Sequence, residues 1–375
     1  MGYGSNRVKT IKAEQKIDTK SVDTKKPQRG FYDELVDKLV EKLEFAKAHK
    51  VGLGSALGYG TGRKGKDGEV VVTVWADPAN FSTKKEYSGI NDRKFTMAIC
   101  LSNYNTGWFG TFRQWKEAGC MVRKGEKSVS GMRWIELTDE QIEANQKAIA
   151  QGKAVPHPND EFPTYYYVFN LEQVDAVSPE GEALLNDLRN LNVRDVNRDY
   201  IVVDPVSGTD AYGESWYTIP QLDEIKLDGV KIVNKGLSVF GVFGETLNVA
   251  GYEPDNHQIK IPPMIGNFKS SAHYYKTLLH ELAHSTGKVF GRSLSTDMQS
   301  TTYANEELIA ELSAWLLGVQ FGLVAFDDPS ASSPAYINTW LKNLKESPDY
   351  LKDIMAEVNK VCRQITKALE TKISE

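Results

Sequence analysis

His273-Tyr274-Tyr275-Lys276-Thr277-Leu278-Leu279-His280-Glu281-Leu282-Ala283-His284-Ser285-Thr286-Gly287 is the stretch on which the reading of this 375-residue chain turns. It reads as a helix, and a helix places residues four apart on one face, about 5–6 Å apart at Cβ, so His280 and His284 can converge on one tetrahedral ion. Glu281 lies about 100° further round the helix, beside that ion, where a carboxylate can act on water as general base. Gly287 supplies the left-handed residue that closes the helix one turn after the second imidazole. Two histidines so placed, if buried with neither metal nor carboxylate, would leave polar nitrogens without partners. Zn²⁺ is the expected ion, and other divalent metals suit the same donors.

A catalytic zinc takes three protein ligands and keeps one position open. The next helical pattern offers Asn305-Glu306-Glu307-Leu308-Ile309-Ala310-Glu311, with Glu307 and Glu311 four apart on one face. Glu307 is assigned as the third ligand and Glu311 as the acceptor that orients an imidazole N–H; the reverse assignment stays open. Glu306 and Glu307 also suit the first turn of a helix through its dipole. His273 is two turns from His280 and too far to share an ion, while His49, His157 and His257 have no partner pattern and read as structural. Tyr303 could stabilise an oxyanion, although no spacing requires it.

Outward from this stretch, 41% apolar and 25% charged residues describe an ordinary globular chain with material for two or three cores, not a disordered one. No apolar run approaches the roughly 18 residues of a membrane span, and the first residues lack a secretory signal, so a cytoplasmic protein is expected. Cys100, Cys120 and Cys362 are too few and scattered for a disulfide framework or a thiolate zinc site. Gly60, Gly65 and Lys66 fall at Walker spacing, but Asp67 stands where a Ser or Thr should bind Mg²⁺ and a strand follows, which argues against nucleotide hydrolysis.

The net charge of −5 hides a polarity. Residues 1–135 hold 25 Lys+Arg against 15 Asp+Glu, a balance of +10, and the remainder hold 20 against 35, a balance of −15. Such asymmetry suggests a polyanion-binding module joined to something else. Residues 1–29 read as a flexible basic arm. An amphipathic helix follows from Phe31 to His49, then a Gly-rich basic loop and a buried strand from Val70 to Trp75. Thr111 with Gln114 forms a capping box, Gly119 ends that helix, and the basic turn Arg123-Lys124-Gly125-Glu126-Lys127 leads into a strand ending near Ile135.

The polar stretch 138–163 is read as the domain boundary. Beyond it lie an aromatic strand Tyr165–Phe169, a helix Glu182–Leu191, short strands including Ile201–Val203 and Ile259–Ile261, and helices at 305–321, 336–345 and 349–369. The expectation is an α+β, two-domain protein: a small, basic α+β domain at 30–160 and an acidic domain built around the metal-binding helix at 161–375.

Between Trp75 and Trp134 rings and cations interleave, as single-strand binding requires: cations track phosphates while bases stack on rings. The candidates are Lys84, Lys85, Tyr87, Arg93, Tyr104, Trp108, Arg113, Arg123, Lys124 and Lys127. Among the rings, Tyr87, Tyr104 and Trp108 are expected on exposed loops because each adjoins Gly, Asn or Ser.

Over most of residues 31–320 the chain resembles the ArdC-type antirestriction proteins of plasmids and phages. The resemblance rests on Tyr87-Ser88-Gly89-Ile90-Asn91, Thr111-Phe112-Arg113-Gln114, Val122-Arg123-Lys124-Gly125-Glu126-Lys127, Tyr167-Val168-Phe169-Asn170, Tyr274 through Gly287, and Glu306-Glu307-Leu308-Ile309-Ala310-Glu311-Leu312. It implies a single-stranded-DNA-binding domain, with Asn91 in the contact set, followed by a zincin-like metallopeptidase domain with an H-E-x-x-H helix. It further implies protection of incoming DNA from host restriction, with the peptidase acting on a protein substrate that the sequence does not name. The helices after residue 336 look particular to this chain. A coat protein with a structural metal and a protease clearing DNA–protein crosslinks are the alternatives.

Overall fold

The computed structural model describes residues 30–51, 53–57, 62–64, 70–72, 78–153, 155, 161–191, 206–209, 215–240, 246–295, 297, 299–321, 323, 334–347 and 349–373. The expected basic arm, Trp75, most of the Gly-rich loop, Pro156–Asp160 with His157, and the strand at Ile201–Val203 lie outside the described residues.

Helix α1 (Asp33–His49) buries Leu35, Leu39, Leu43 and Ala46 and ends where Lys50 turns left-handed, its N–H returning to the Ala46 carbonyl. The short α2 (Leu53–Leu57) and the hairpin β1 (Gly62–Lys64) with β2 (Val70–Val72) follow. Helix α3 (Gly89–Ser102) then backs a four-stranded sheet.

That sheet is ordered β3 (Ala79–Asn80), β4 (Trp108–Thr111), β7 (Glu161–Asn170), β6 (Val129–Glu136), with β3 and β4 parallel and the other pairs antiparallel. Helix α4 (Phe112–Glu117) carries the expected Thr111–Gln114 capping box, and Gly119 follows it at φ +74°. Strand β5 (Cys120–Val122) pairs with β8 (Val174–Ala176). Helix α5 (Asp139–Ala150) opens on a second capping box, Thr138 with Gln141.

The expected boundary at residue 160 is corrected by the pairing. The aromatic strand after it, β7, lies between β4 and β6 and pairs with all eight residues of β6. The polar stretch before it therefore connects two neighbouring strands of one sheet. Helix α6 (Pro179–Asn190) continues the same unit, since Leu185 and Leu188 join Phe81, Trp108, Trp115, Leu171 and Val174 in one buried cluster.

Beyond come hairpins β9 (Val206–Thr209) with β10 (Ser215–Thr218) and β12 (Leu237–Phe240) with β13 (Thr246–Val249), and the short helix α7 (Pro220–Asp223). A three-stranded sheet has the order β11 (Lys231–Val233), β15 (Gln258–Lys260), β14 (Gly251–Glu253), so β14 is an edge. The helices are α8 (Ser271–Ser285), α9 (Gly287–Phe290), α10 (Thr301–Gln320), α11 (Pro334–Glu346) and α12 (Tyr350–Ile373). Helix α10 begins four residues earlier than its apolar pattern suggests, because Ser300 accepts the Tyr303 N–H and caps a first turn that carries little apolar periodicity.

The main core is continuous across both halves: Leu35, Leu39, Phe95 and Phe109 belong to the same cluster as Leu278, Leu282, Leu308, Trp315, Trp340 and Val358. Cys100, Cys120 and Cys362 are buried and unpaired. No described helix is long and apolar enough to cross a membrane.

Candidate metal centre

Helix α8 is anchored at its start by Ser270, whose hydroxyl accepts the His273 N–H, and it buries Leu278, Leu279, Leu282 and Ala283 against the core. That apolar face fixes the rotation of the helix and turns His280 and His284 toward α10. Their Nε2 atoms lie 3.0 Å apart with the rings nearly perpendicular. Glu307 on α10 offers one oxygen to each, Oε2 at 3.7 Å from His280 Nε2 and Oε1 at 3.5 Å from His284 Nε2. One ligand atom from each of these three residues falls within 4.8 Å of the others. Tetrahedral coordination with metal–ligand distances near 2.0 Å has edges of about 3.3 Å, which these separations straddle, so the donor set fits a divalent ion.

The other ring nitrogens point to separate carboxylates. His280 Nδ1 lies 3.9 Å from Glu311 Oε1, and His284 Nδ1 lies 3.3 Å from Glu306 Oε1. Glu306 also takes two hydrogen bonds from Arg292, at 2.9 and 3.0 Å. Burial pushes the Glu306 carboxyl up, but the hydrogen bonds of His284 and Arg292 outweigh it and hold the group below the usual carboxylate range. Buried Lys276, one turn before His280, supplies a positive charge beside Glu311. Each imidazole is thus backed by a carboxylate, as metal-ligating histidines commonly are.

Sequence reasoning misses Glu306 as a site residue, because a helix expected to start at Asn305 gives an acid there an electrostatic explanation; the helix starts at Thr301, so Glu306 lies beyond its first turn. Its one signal is its place next to Glu307, about 100° round the same helix from the ligand face. Arg292, on the loop after α9, carries no sequence signal at all. His273 is buried beside Ser270 and is not among the converging groups.

Glu281 is almost fully buried and accepts a hydrogen bond from the Tyr252 N–H of β14; burial pushes its carboxyl up to about 7. The Tyr303 hydroxyl bonds to Glu307 and Tyr336, which ties it to the carboxylate that faces both imidazoles. These groups open onto a cavity of about 730 Å³ whose lining includes Leu237, Gly251, Tyr252, His280, Glu281, His284, Tyr303 and Glu307. That volume is typical of a ligand site.

The basic aromatic half is distributed differently from expectation. Trp108 is fully buried, its indole donating to the Leu191 carbonyl at 3.2 Å and its ring 4.8 Å from the Lys84 ammonium. The neighbouring glycine is the source of the error: the Gly107 carbonyl accepts the Ala79 N–H at the start of a parallel strand pair, not in an exposed loop. Tyr87 packs edge-to-face on Phe95, and Tyr104 lies half-buried with the Lys38 ammonium over its ring. The Asn91 amide is taken up by the N–H and carbonyl of Met132, sealing the edge of β6.

Arg93 bonds the Gly89 carbonyl and Cys362. Arg113 pairs with Glu117, and Arg123 with Glu126 and Asp175. Lys85, Lys124 and Lys127 are exposed.

Comparison with known proteins matches residues 66–169 to the N-terminal domain of anti-restriction factor ArdC and residues 242–354 to a zincin-like metallopeptidase domain. The chain thus combines an ArdC-type N-terminal domain with a zincin-like metallopeptidase domain. The second match takes in α11, so that helix is not particular to this chain.

The chain is 26% identical over 351 residues to a DNA primase TraC of Escherichia coli, covering 90% of this chain and 27% of that protein. It is 25% identical over 281 residues to protein y4eC of Sinorhizobium fredii (strain NBRC 101917 / NGR234), covering 74% and 76%. It spans only 27% and 19% of the length of the two TraC primases that it matches. The Mn(II)-bound crystal structure of the antirestriction ArdC protein from the R388 plasmid shares the fold, with a TM-score of 0.50 and 22% identity over 91% of this chain and 98% of that one. The metal-free form of that protein gives 0.50 and 23%.

Proposed function

We propose that the protein is a cytoplasmic antirestriction factor that holds single-stranded DNA with its basic half and hydrolyses peptide bonds of a protein near that strand at the α8–α10 centre. The observation that carries the reading is the convergence of His280, His284 and Glu307 with Glu281 alongside, open to one cavity. A bound Zn²⁺, or another divalent ion such as the Mn(II) of the R388 structure, would polarise the substrate carbonyl and acidify water.

Glu281 is the general base: it takes the proton of the attacking water and returns it to the leaving amine. A carboxyl poised near pH 7 suits both transfers, and the Tyr252 N–H fixes the group at the cavity wall. Glu306 and Glu311 orient the two imidazoles, and Tyr303 orients Glu307.

The test is Glu281→Gln, which keeps shape and removes the base. Peptide-bond hydrolysis should fall by about 10²–10⁴-fold and protection of incoming DNA in cells should be lost, with metal content per chain unchanged. Full protection by a hydrolysis-dead variant would overturn the enzymatic account and leave a DNA-coating protein. Repair of DNA–protein crosslinks without any effect on restriction would instead favour crosslink clearance.

A further inference from the structure

An antiparallel sheet with one face on the core carries polar side chains on the other. The β6–β7 pair breaks that rule. Tyr166 points inward, its ring lying across Gly131, where even a Cβ would stand 2.3 Å from the ring. The alternate residues point outward, and there Tyr165 is 40% exposed, Tyr167 60%, and Trp134 on the adjacent strand 57%.

The register places Tyr167 opposite Ser130 and Trp134 opposite Pro163, so all three rings stand on one face. Tyr165 and Tyr167 are two residues apart, about 7 Å along the strand, and Trp134 is the diagonal neighbour of Tyr165. Tyr165 is braced by the Phe31 ring at 5.8 Å, which orders it before any partner arrives. The loop entering β6 adds Lys124 and Lys127, both exposed, and among the described residues no carboxylate pairs with either.

We infer that Trp134, Tyr165 and Tyr167 are the platform on which consecutive bases of a single strand stack, with Lys124 and Lys127 holding its phosphates at the Tyr167 end. This rests on the single-stranded-DNA reading above and moves its rings from Tyr87, Tyr104 and Trp108 to the outer sheet face. The chemistry favours nucleic acid over a protein partner: protein interfaces also use such rings but are depleted in lysine, whereas flat amphipathic rings beside Lys124 and Lys127 offer a strand both stacking and charge. A duplex hides its base faces and cannot use the rings.

The experiment measures binding of a fluorescent oligothymidylate and of a duplex of equal length to the full-length protein at several salt concentrations. Each of Trp134→Ala, Tyr165→Ala and Tyr167→Ala should weaken single-strand binding about 5- to 150-fold with the salt slope unchanged. Trp134→Phe should retain most of the affinity. Lys124→Ala and Lys127→Ala should each flatten the slope by about 0.7.

Photocrosslinking of wild-type protein to 5-iodouracil-substituted strand should map to these three rings, a readout independent of how any variant folds. Wild-type protein that binds no single strand would sink the functional reading itself. Wild-type binding with crosslinks elsewhere and unaltered affinity in the ring variants would sink this inference alone. Equal loss on duplex and single strand would show a contact that does not depend on exposed base faces and overturn base stacking.

Discussion

Arg292→Met removes a guanidinium from the buried ion pair behind His284. Nε and Nη2 of Arg292 bond both oxygens of Glu306 at 2.9 and 3.0 Å, and the two side chains are each 8% exposed. The same guanidinium donates to the Ala283 carbonyl at 2.8 Å and to Thr286 Oγ1 at 3.1 Å, so it also holds the end of α8. Truncating one partner of a buried pair strands the other charge and costs about 3–5 kcal/mol. His284 still contacts Glu306 Oε1 at 3.3 Å, which places the expected loss at the lower end, about 3 kcal/mol.

With Glu306 no longer fixed, His284 loses its orientation, and changes of this kind lower metal affinity about 10- to 100-fold. Urea unfolding gives the first quantity and calorimetric Mn²⁺ or Zn²⁺ titration the second. The double variant Arg292→Met/Glu306→Gln separates them: no charge is stranded, so stability should recover by about 1–2 kcal/mol while metal affinity stays low. An Arg292→Met protein that unfolds within about 0.5 kcal/mol of wild type and binds metal equally well would refute the arrangement.

Two further outcomes concern protons. Burial alone would lower the His284 pKa, but the Glu306 hydrogen bond and the charges of Glu281 and Glu307 push it up to about 9, while burial beside His284 and Lys276 keeps His280 well below its usual value. Metal must displace the His284 proton, so affinity should rise about tenfold per pH unit from 7 toward 9 and then level, with about one proton released per ion at pH 7; calorimetry in buffers of different ionisation enthalpy counts it, and zero release would contradict the assignment. Lys94 is fully buried against Glu34, and burial lowers its pKa to about 8. Between pH 8 and 10.5 the unfolded chain therefore binds more protons at this site than the folded one, and its contribution to stability rises with pH. The difference in unfolding free energy between wild type and Lys94→Met should grow by about 1–2 kcal/mol from about pH 8 to about pH 9.5; a difference that shrinks would show the opposite sign.

Much of the centre was legible because helical periodicity is local. The four-residue spacing of His280 with His284 and of Glu307 with Glu311 needs only helix geometry, and the structure brings all four together with Glu281. Glu306 and Arg292 were hidden because their roles depend on how α10 and the loop after α9 pack on α8, which no local pattern encodes. The capping box at Thr111 and the turn at Gly119 were readable for the same local reason.

The rings escape a local reading because proximity to glycine is ambiguous: Gly107 begins a strand at Trp108 instead of an open loop. A strand sends alternate residues of Glu161–Asn170 to opposite faces, but which face meets the core depends on how α1, α3 and β4 pack against it. The boundary failed on a related ambiguity, since a polar stretch between strands looks alike whether it joins two domains or two neighbours in one sheet.

The position of α12 bears on how the two halves would cooperate. Arg93 of α3, expected to face DNA, bonds Cys362 of α12; Tyr32 receives a hydrogen bond from Asn359; and Lys345 of α11 pairs with Glu44 of α1 at 2.7 Å. Together with the shared core, these contacts join the basic half to the helix that carries Glu307, without relying on a flexible tether. A flexible link raises the local concentration of any target within its reach, whereas a packed one presents the cavity at a set distance and angle from the strand. Under the proposed function, the chain would then act on proteins seated at one offset along the DNA and spare those bound closer or farther. Substitutions in the α12 core, such as Val358→Ala, would weaken DNA binding and metal uptake together, because both rest on the same buried layer.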